Sequence, residues 1–188
     1  MNAAPDKSLL AVLKGEHRKM APRWMMRQAG RYLPEYRALR ADKGGFLELV
    51  YDSAAAAEIT LQPLRRFGTG AGGLHAAILF SDILIVPYAM GQKLWFEAGE
   101  GPRLAPTLLE SDLDALTPDY GRYDAIYETV RLVKAQLAPE TTFLGFAGSP
   151  WTIATYMVAG QGSKDHSAAR KLAYTQPERF GAIIDAIV

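Results

Sequence analysis

The chain has 188 residues with 21 Lys and Arg against 20 Asp and Glu, a formal net charge of +1 that disfavours binding to nucleic acid or to an anionic membrane surface. It contains no cysteine, which excludes disulfides, a thiolate nucleophile and cysteine-based metal sites within these residues. Because 49% of the residues are apolar and no basic-then-apolar leader begins the chain, we expect a soluble, cytoplasmic protein with a single domain over residues 1–188.

The first 70 residues predict short helices and one structured loop. Helices are expected over Ser8–Lys14, Pro34–Arg40 and Asp52–Phe67. Ser8 is the expected cap of the first helix, and Asp52 or Ser53 that of the third. Pro63 should kink the third helix or break it, because proline removes a backbone donor. Residues 22–34 have no helical or strand period and predict a structured loop.

The remainder of the chain alternates strands and helices. Continuous apolar runs at Ala76–Phe80 and Thr142–Ala147 predict strands buried on both faces, as in a parallel sheet. Lys93–Glu97 is typical of an edge strand or hairpin, and residues 99–106 are rich in turn formers. Apolar side chains at steps of three and four predict a helix over Tyr120–Leu137. Further helices are expected from Pro150, over His166–Thr175 and from Pro177 onward. This order favours an α/β fold with a parallel sheet.

A pair of arginines is the first candidate for chemistry. Arg27 and Arg31 stand four residues apart, with Gly30 just before the second. If the loop turns once, both guanidiniums converge on one anionic ligand, for which their planar forks are suited. The alternative is a pair of solvated or structural arginines, and the residues alone leave both interpretations open.

A carboxylate and a phenol are the other candidates. Asp82 follows the first buried strand, the place where α/β enzymes carry catalytic groups, and could stabilise a developing cation there. An aspartate there is equally typical of a helix or loop cap. Tyr156, in the helix after the second strand, is a candidate contact, although a phenol so placed more often lines a core.

Two other patterns carry little functional signal. Residues 68–73 fit G-x-G-x-x-G by letter, but here a helix precedes and a strand follows, the reverse of a dinucleotide site. We therefore expect a flexible surface loop. The histidines His17, His75 and His166 share no metal-ligand spacing, and the sequence predicts no metal site.

Four segments together resemble the uroporphyrinogen decarboxylase family. They cover residues 22–36, 61–67, 76–84 and 145–152. The first contains Arg-Gln-Ala-Gly-Arg at 27–31 and is the family's specific signature. The resemblance extends along nearly the whole chain but covers only the N-terminal half of a family member, so we expect a chain truncated at residue 188.

The resemblance implies a fold, an activity and a set of site residues. It implies a (β/α)8 TIM barrel, here only its N-terminal portion, usually a homodimer, that removes carboxylate from the four acetate side chains of uroporphyrinogen III in haem biosynthesis. The product is coproporphyrinogen III, and neither metal nor organic cofactor is required. By resemblance Asp82 and Arg27 are catalytic, although an arginine with a pKa above ~12 is a poor acid and the proton donor stays open. By resemblance the substrate is bound by Arg27, Gln28, Ala29, Gly30, Arg31, Asp82 and Tyr156.

Departures from the family keep two alternatives open. Residues 68–75 form a longer link before the strand than the family has, which we expect to affect packing more than chemistry. A serine and a histidine of the family's pocket belong to a second half that this chain lacks. The alternatives are a corrinoid-linked methyltransferase of the same superfamily and a catalytically incompetent fragment that binds a tetrapyrrole or a partner chain. A barrel needs at least ~200 residues, so we expect the chain alone to self-associate or aggregate.

Overall fold

A computed structural model describes residues 6–26 and 32–188. The helices are α1 (Ser8–Leu13), α2 (Pro34–Lys43), α3 (Phe46–Tyr51), α4 (Ser53–Phe67), α5 (Ile85–Ala89), α6 (Asp124–Gln136), α7 (Pro150–Ala159), α8 (Ser167–Thr175) and α9 (Pro177–Ile187). The strands are β1 (Ala76–Ile78), β2 (Lys93–Glu97), β3 (Gly101–Ala105) and β4 (Thr142–Leu144). Short 3-10 turns lie at Gly70–Gly72, Leu113–Ala115 and Tyr120–Tyr123.

The chain divides into two compact units. One comprises the residues up to Ser81 together with Ala125–Phe146, and the other comprises Asp82–Asp124 together with Ala147–Val188. The first unit contains α1 to α4, β1 and β4, and nearly all of α6. The second contains α5, the strands β2 and β3, and α7 to α9. A single domain over residues 1–188 stays a prediction.

The first unit is built on a parallel pair of strands, as the apolar runs predict. β1 pairs with β4 in the register Ala76 with Thr142 and Ile78 with Leu144. Helix α4 packs beside this pair. Its apolar side chains fall on two faces, so that it takes part in two core clusters. One face joins a core cluster of Ala57, Leu61, Leu64, Leu74, Ala77 and Val133, and the other joins a cluster of Leu33, Tyr36, Leu49, Ala55 and Ile59. The mixed α/β class is thereby confirmed, and no closed barrel forms within residues 6–26 and 32–188.

The second unit consists of a hairpin and helices. β2 and β3 pair antiparallel, with Leu94 opposite Leu104. The buried amide of Gln92 joins the hairpin to α7, since its Nε2 donates to the carbonyl of Pro106 at 2.6 Å and to that of Met157 at 3.2 Å. Helices α7, α8 and α9 pack against one another. The predicted hairpin is confirmed.

Two local expectations differ from the structure, and a third segment forms a strand despite its turn-forming residues. Ser8 is the first residue of α1 rather than its cap, and the cap residue Lys7 makes no side-chain capping bond. Of the two alternatives at Pro63, the break does not occur, because α4 continues through this buried residue and packing outweighs the lost backbone bond. The stretch 99–106 contains the strand β3, since cross-strand pairing with β2 overrides its turn-forming residues.

Candidate functional site

Asp82 lies in the loop between β1 and α5, and its carboxylate is held in place. The residue is only 9% exposed. Its Oδ1 accepts a hydrogen bond from the backbone N–H of Leu84 at 2.9 Å. This bond satisfies a backbone donor of the loop, so Asp82 has the loop-capping role that the sequence left open, whereas the N-cap residue of α5 is Leu84. The bond also fixes the orientation of the carboxylate.

Burial raises the pKa of Asp82 above its ordinary value, because a charge is costly to remove from water. The backbone N–H groups of Leu84 and Ile83 oppose this effect by stabilising the ionised form. The carboxylate is therefore incompletely compensated by its protein neighbours. A ligand that brings hydrogen-bond donors or positive charge to this carboxylate would be stabilised by it.

A glycine allows two loops of the second unit to approach closely beside Asp82. A Cβ added to Gly148 would lie 2.9 Å from the Cβ of Ile83 and 2.8 Å from Cγ1 of Ile153. Only a residue without a side chain fits between these groups. Gly148 thus sets the distance between the residue that follows Asp82 and the start of α7.

Tyr156 is carried by α7 within the same unit. It is the seventh of the ten residues of that helix and is half-buried. A Cβ added to Gly162 would lie 3.3 Å from the Tyr156 hydroxyl oxygen, so the phenol lies along the backbone of that glycine. Tyr156 and Asp82 are positioned by separate elements, α7 and the loop after β1.

The two candidate arginines, Arg27 and Arg31, lie outside the described residues, as do Gln28, Ala29 and Gly30. The residues on either side of that segment are ordered by contacts in the first unit. Arg23 bonds to the loop before β1, and the carbonyl of Tyr32 accepts a hydrogen bond from Nη2 of Arg37 at 2.8 Å. The convergence of the arginines on one anion stays a prediction.

The remaining sequence candidates add no second site. Within residues 6–26 and 32–188, no group of three or more histidines and carboxylates is placed to hold a metal ion. In the same part of the chain, no helix combines the length and apolar character needed to cross a membrane.

Sequence reasoning missed two residues that make close tertiary contacts. Gly148 is a plain member of Gly-Ser-Pro-Trp in the sequence, and its close approach to Ile83 follows only from tertiary packing. Arg23 gave no signal beyond its place four residues before Arg27, because its partners lie about 50 positions further along the chain.

The chain is an α/β protein with a parallel pair of strands. The buried, oriented carboxylate of Asp82 follows the first of these strands and is a candidate anionic centre. The family model for uroporphyrinogen decarboxylase (URO-D) matches residues 4–188, and the chain belongs to that family. The resemblance of the four sequence segments is thereby confirmed.

Three curated relatives show the extent of the match. The uroporphyrinogen decarboxylase of Sphingopyxis alaskensis is 65% identical over 187 residues, which cover 100% of this chain and 53% of the relative. That of Rhizorhabdus wittichii is 66% identical over 98% of this chain and 52% of the relative, and that of Novosphingobium aromaticivorans is 66% identical over 95% and 51%. The chain thus spans about half the length of the curated relatives that it matches.

Proposed function

We propose that this chain is the N-terminal half of an enzyme that converts uroporphyrinogen III to coproporphyrinogen III by decarboxylating its four acetate side chains. The observation that carries the proposal is the buried, oriented carboxylate of Asp82 in a chain of the uroporphyrinogen decarboxylase family. The relatives that match over nearly all of the chain carry the same enzyme name.

The reaction needs a place for the electrons that the departing CO₂ leaves behind. Protonation of the pyrrole α-carbon next to the carbon that bears an acetate arm makes the ring a cation, with the arm-bearing carbon still conjugated to the ring nitrogen. When the bond between the arm's methylene and its carboxylate breaks, the bonding electrons flow into that ring and CO₂ leaves. The exocyclic methylene then takes up a second proton, and the ring proton is lost, so each arm exchanges one CO₂ for one hydrogen. The pyrrole is its own electron sink, and no cofactor is needed in this scheme.

Asp82 is the group that stabilises the cation in this proposal. A carboxylate has about four lone-pair positions, and the backbone N–H groups of Leu84 and Ile83 use only part of them. The others can accept pyrrole N–H groups of the substrate. Because the bond to Leu84 fixes the carboxylate beforehand, little reorganisation is needed when charge develops on the ring. Burial strengthens the interaction by excluding water.

The remaining roles follow from the family. Arg27 and Arg31 hold the acidic arms through their guanidiniums. Gln28, Ala29 and Gly30, between these two arginines in the sequence, also bind the substrate. Tyr156 contacts the substrate from α7. Arg27 is also a catalytic candidate, although its high pKa makes it a weak proton donor.

At the level of the whole protein, we propose that the β1–β4 pair is the start of a (β/α)8 barrel completed by a second half. The complete protein acts as a cytoplasmic homodimer. The parallel pairing of β1 with β4 supports the barrel, because adjacent barrel strands run parallel.

The test replaces Asp82 in a complete protein, in which residues 1–188 are followed by the C-terminal half of the Sphingopyxis alaskensis relative. We expect Asp82→Ala to lower kcat at least about 100-fold, because one preorganised charge is lost. Porphyrin products are separated by chromatography after oxidation, and circular dichroism checks the fold. The control is Asp114→Asn, an exposed carboxylate of the same unit, which should leave activity unchanged.

Activity within about threefold of the parent in Asp82→Ala would remove the proposed role of Asp82. If the complete protein binds a tetrapyrrole octacarboxylate but releases no CO₂, the binding-only alternative is correct instead.

A further inference from the structure

We propose that Thr60 is a positioning residue for Asp82, because its hydroxyl fixes the backbone two residues before that carboxylate. The inference rests on the proposed function, in which Asp82 stabilises the cation that forms on the substrate. Thr60 lies in α4, and it acts on Asp82 through the chain that leaves β1.

The hydroxyl of Thr60 joins α4 to the chain that leaves β1. Its Oγ1 donates to the carbonyl of Ala56 at 2.8 Å, and the same atom accepts the backbone N–H of Phe80 at 3.0 Å. Because the single hydroxyl proton is used by Ala56, the hydroxyl cannot rotate freely, and a lone pair stays directed at the N–H of Phe80. Thr60 is only 1% exposed, so little water competes for these bonds.

The backbone between β1 and Asp82 is held at successive residues. The N–H of Leu79 donates to the carbonyl of Leu144 at 3.0 Å, which continues the pairing of β1 with β4 beyond the end of the strand. The next residue, Phe80, is the one that α4 holds. Only Ser81 separates Phe80 from Asp82, so a shift of the backbone at residue 80 is transmitted to the carboxylate.

The side chain of Phe80 ties the same residue to the core of the first unit. Its ring meets the ring of Tyr36 edge to face, with 6.1 Å between centroids, and that of Phe46 with 5.7 Å. Tyr36 belongs to the core cluster on one face of α4. Ring contacts of this kind tolerate small displacements. The hydrogen bond from the Phe80 N–H to Thr60 is directional, and it therefore sets the course of the backbone more narrowly.

Thr129 of α6 provides a matched comparison in the same unit. It is also 1% exposed, and its Oγ1 donates to the carbonyl four residues earlier, that of Ala125, at 2.9 Å. Among the residues that the structure describes, no backbone N–H donates to this hydroxyl. Thr129 thus shares the burial and the helical hydrogen bond of Thr60 but does not hold the chain after β1. The two threonines separate positioning of Asp82 from a general effect on stability.

The test replaces each threonine by valine, which has a similar shape but no hydroxyl, in the complete protein. We expect Thr60→Val to lower kcat about five- to twentyfold with KM within about twofold, because a displaced Asp82 loses interactions that form only in the transition state. Thr60→Ser keeps the hydroxyl and should retain kcat within about twofold of the parent, as should Thr129→Val. If a valine variant fails to fold by circular dichroism, Thr60→Ala and Thr129→Ala make the same comparison.

Hydrogen exchange at Leu84 reports the orientation of Asp82 without any substrate, since this N–H is protected by its bond to the carboxylate. We expect faster exchange at Leu84 in Thr60→Val than in the parent or in Thr129→Val. Unchanged exchange at Leu84 overturns the inference, because Asp82 would then not have moved. A kcat within about twofold of the parent in a folded Thr60→Val, or equal losses of kcat in both valine variants, overturns it as well.

Failure of the proposed function is distinguishable from failure of this inference. An inactive parent, or an Asp82→Ala variant as active as the parent, shows that the proposed role of Asp82 in the reaction is wrong. Exchange at Leu84 then decides by itself whether Thr60 positions Asp82, since that measurement requires no turnover.

Discussion

Asp82 combines two properties that oppose each other in an ordinary surface aspartate. Its carboxylate is buried, which raises its pKa, and it is held by backbone N–H groups, which favour the charge. Burial dominates, so the folded state binds a proton at this residue more readily than the unfolded state does. Ionisation of Asp82 therefore weakens folding, a cost that is consistent with a role for the charge in binding.

Asp82→Asn should remove this cost while keeping an oxygen that accepts the Leu84 N–H. The pKa of Asp82 is raised in the folded state, so this residue contributes most to the free energy of unfolding at low pH. That contribution is lost as the pH rises from the unfolded-state pKa to the folded-state pKa. We expect the variant to gain stability relative to the parent as pH rises above the ordinary aspartate range, and to keep that gain above the raised pKa of Asp82. Urea denaturation of the complete protein at several pH values measures the difference.

The control is Asp82→Ala, which removes the acceptor as well and should be less stable than Asp82→Asn throughout. A pH-independent difference between Asp82→Asn and the parent would show that the carboxylate does not ionise against burial.

At the residue scale, the sequence identified Asp82 from its place after an apolar strand. It gave no indication of Gly148 or Arg23, since both act through partners distant in the chain. Spacing can place a side chain at the end of a strand, but a close approach between two loops is decided only when the strands pair.

Asp52 organises three helices of the first unit. It ends α3 and caps α4, where its Oδ1 accepts the N–H of Ala55 at 3.0 Å. Its Oδ2 pairs with Nζ of Lys43, in the last turn of α2, at 2.9 Å. The hydrogen bond from Ala55 and the pair with Lys43 lower the pKa of Asp52. Its stabilisation is therefore present at neutral pH and is lost as pH falls through the lowered value.

We expect Asp52→Ala to lower the free energy of unfolding by about 1 kcal/mol, because the cap of α4 is lost. Asp52→Asn should lower the free energy of unfolding by only a few tenths of the Asp52→Ala loss, since the asparagine side chain still caps α4. The pair with Lys43 is partly exposed and screened, so Lys43→Ala should have a similarly small effect. Equal losses in Asp52→Ala and Lys43→Ala would show that the ion pair, rather than the cap, is the main contribution.

At the element scale, capping and apolar spacing predicted α4 and α6 because these signals are local. Pro63 does not end α4, because proline's local cost is outweighed when the helix is buried. The helices α3 and α5 were not predicted, since each has only five or six residues and too short a pattern to show a period. The strand β3 depended on pairing with β2.

The parallel pair of β1 and β4 leaves each strand with a second edge that pairs with no other strand in the described part of the chain. Open edges of buried, apolar strands are sites for association with other chains. Aromatic side chains such as Trp151 and Tyr127 are 39% and 56% exposed and add apolar surface.

We therefore expect the 188-residue polypeptide, expressed alone, to self-associate with a mass that increases with concentration. Light scattering after gel filtration measures that mass, and the complete protein is the control, which should have one discrete mass. A monodisperse monomer that melts cooperatively would contradict this prediction.

The sequence by itself determined the α/β class, the parallel pairing of two apolar runs, the capped helix α4 and the family, because these depend on local composition, spacing and motif. Tertiary structure decided how Asp82 is buried and oriented and how Arg23 reaches the 68–75 loop. It also decided how closely the loop of Gly148 approaches Ile83, the residue after Asp82. Burial, close approach and long-range hydrogen bonds depend on residues far apart in the chain, and only folding brings these together.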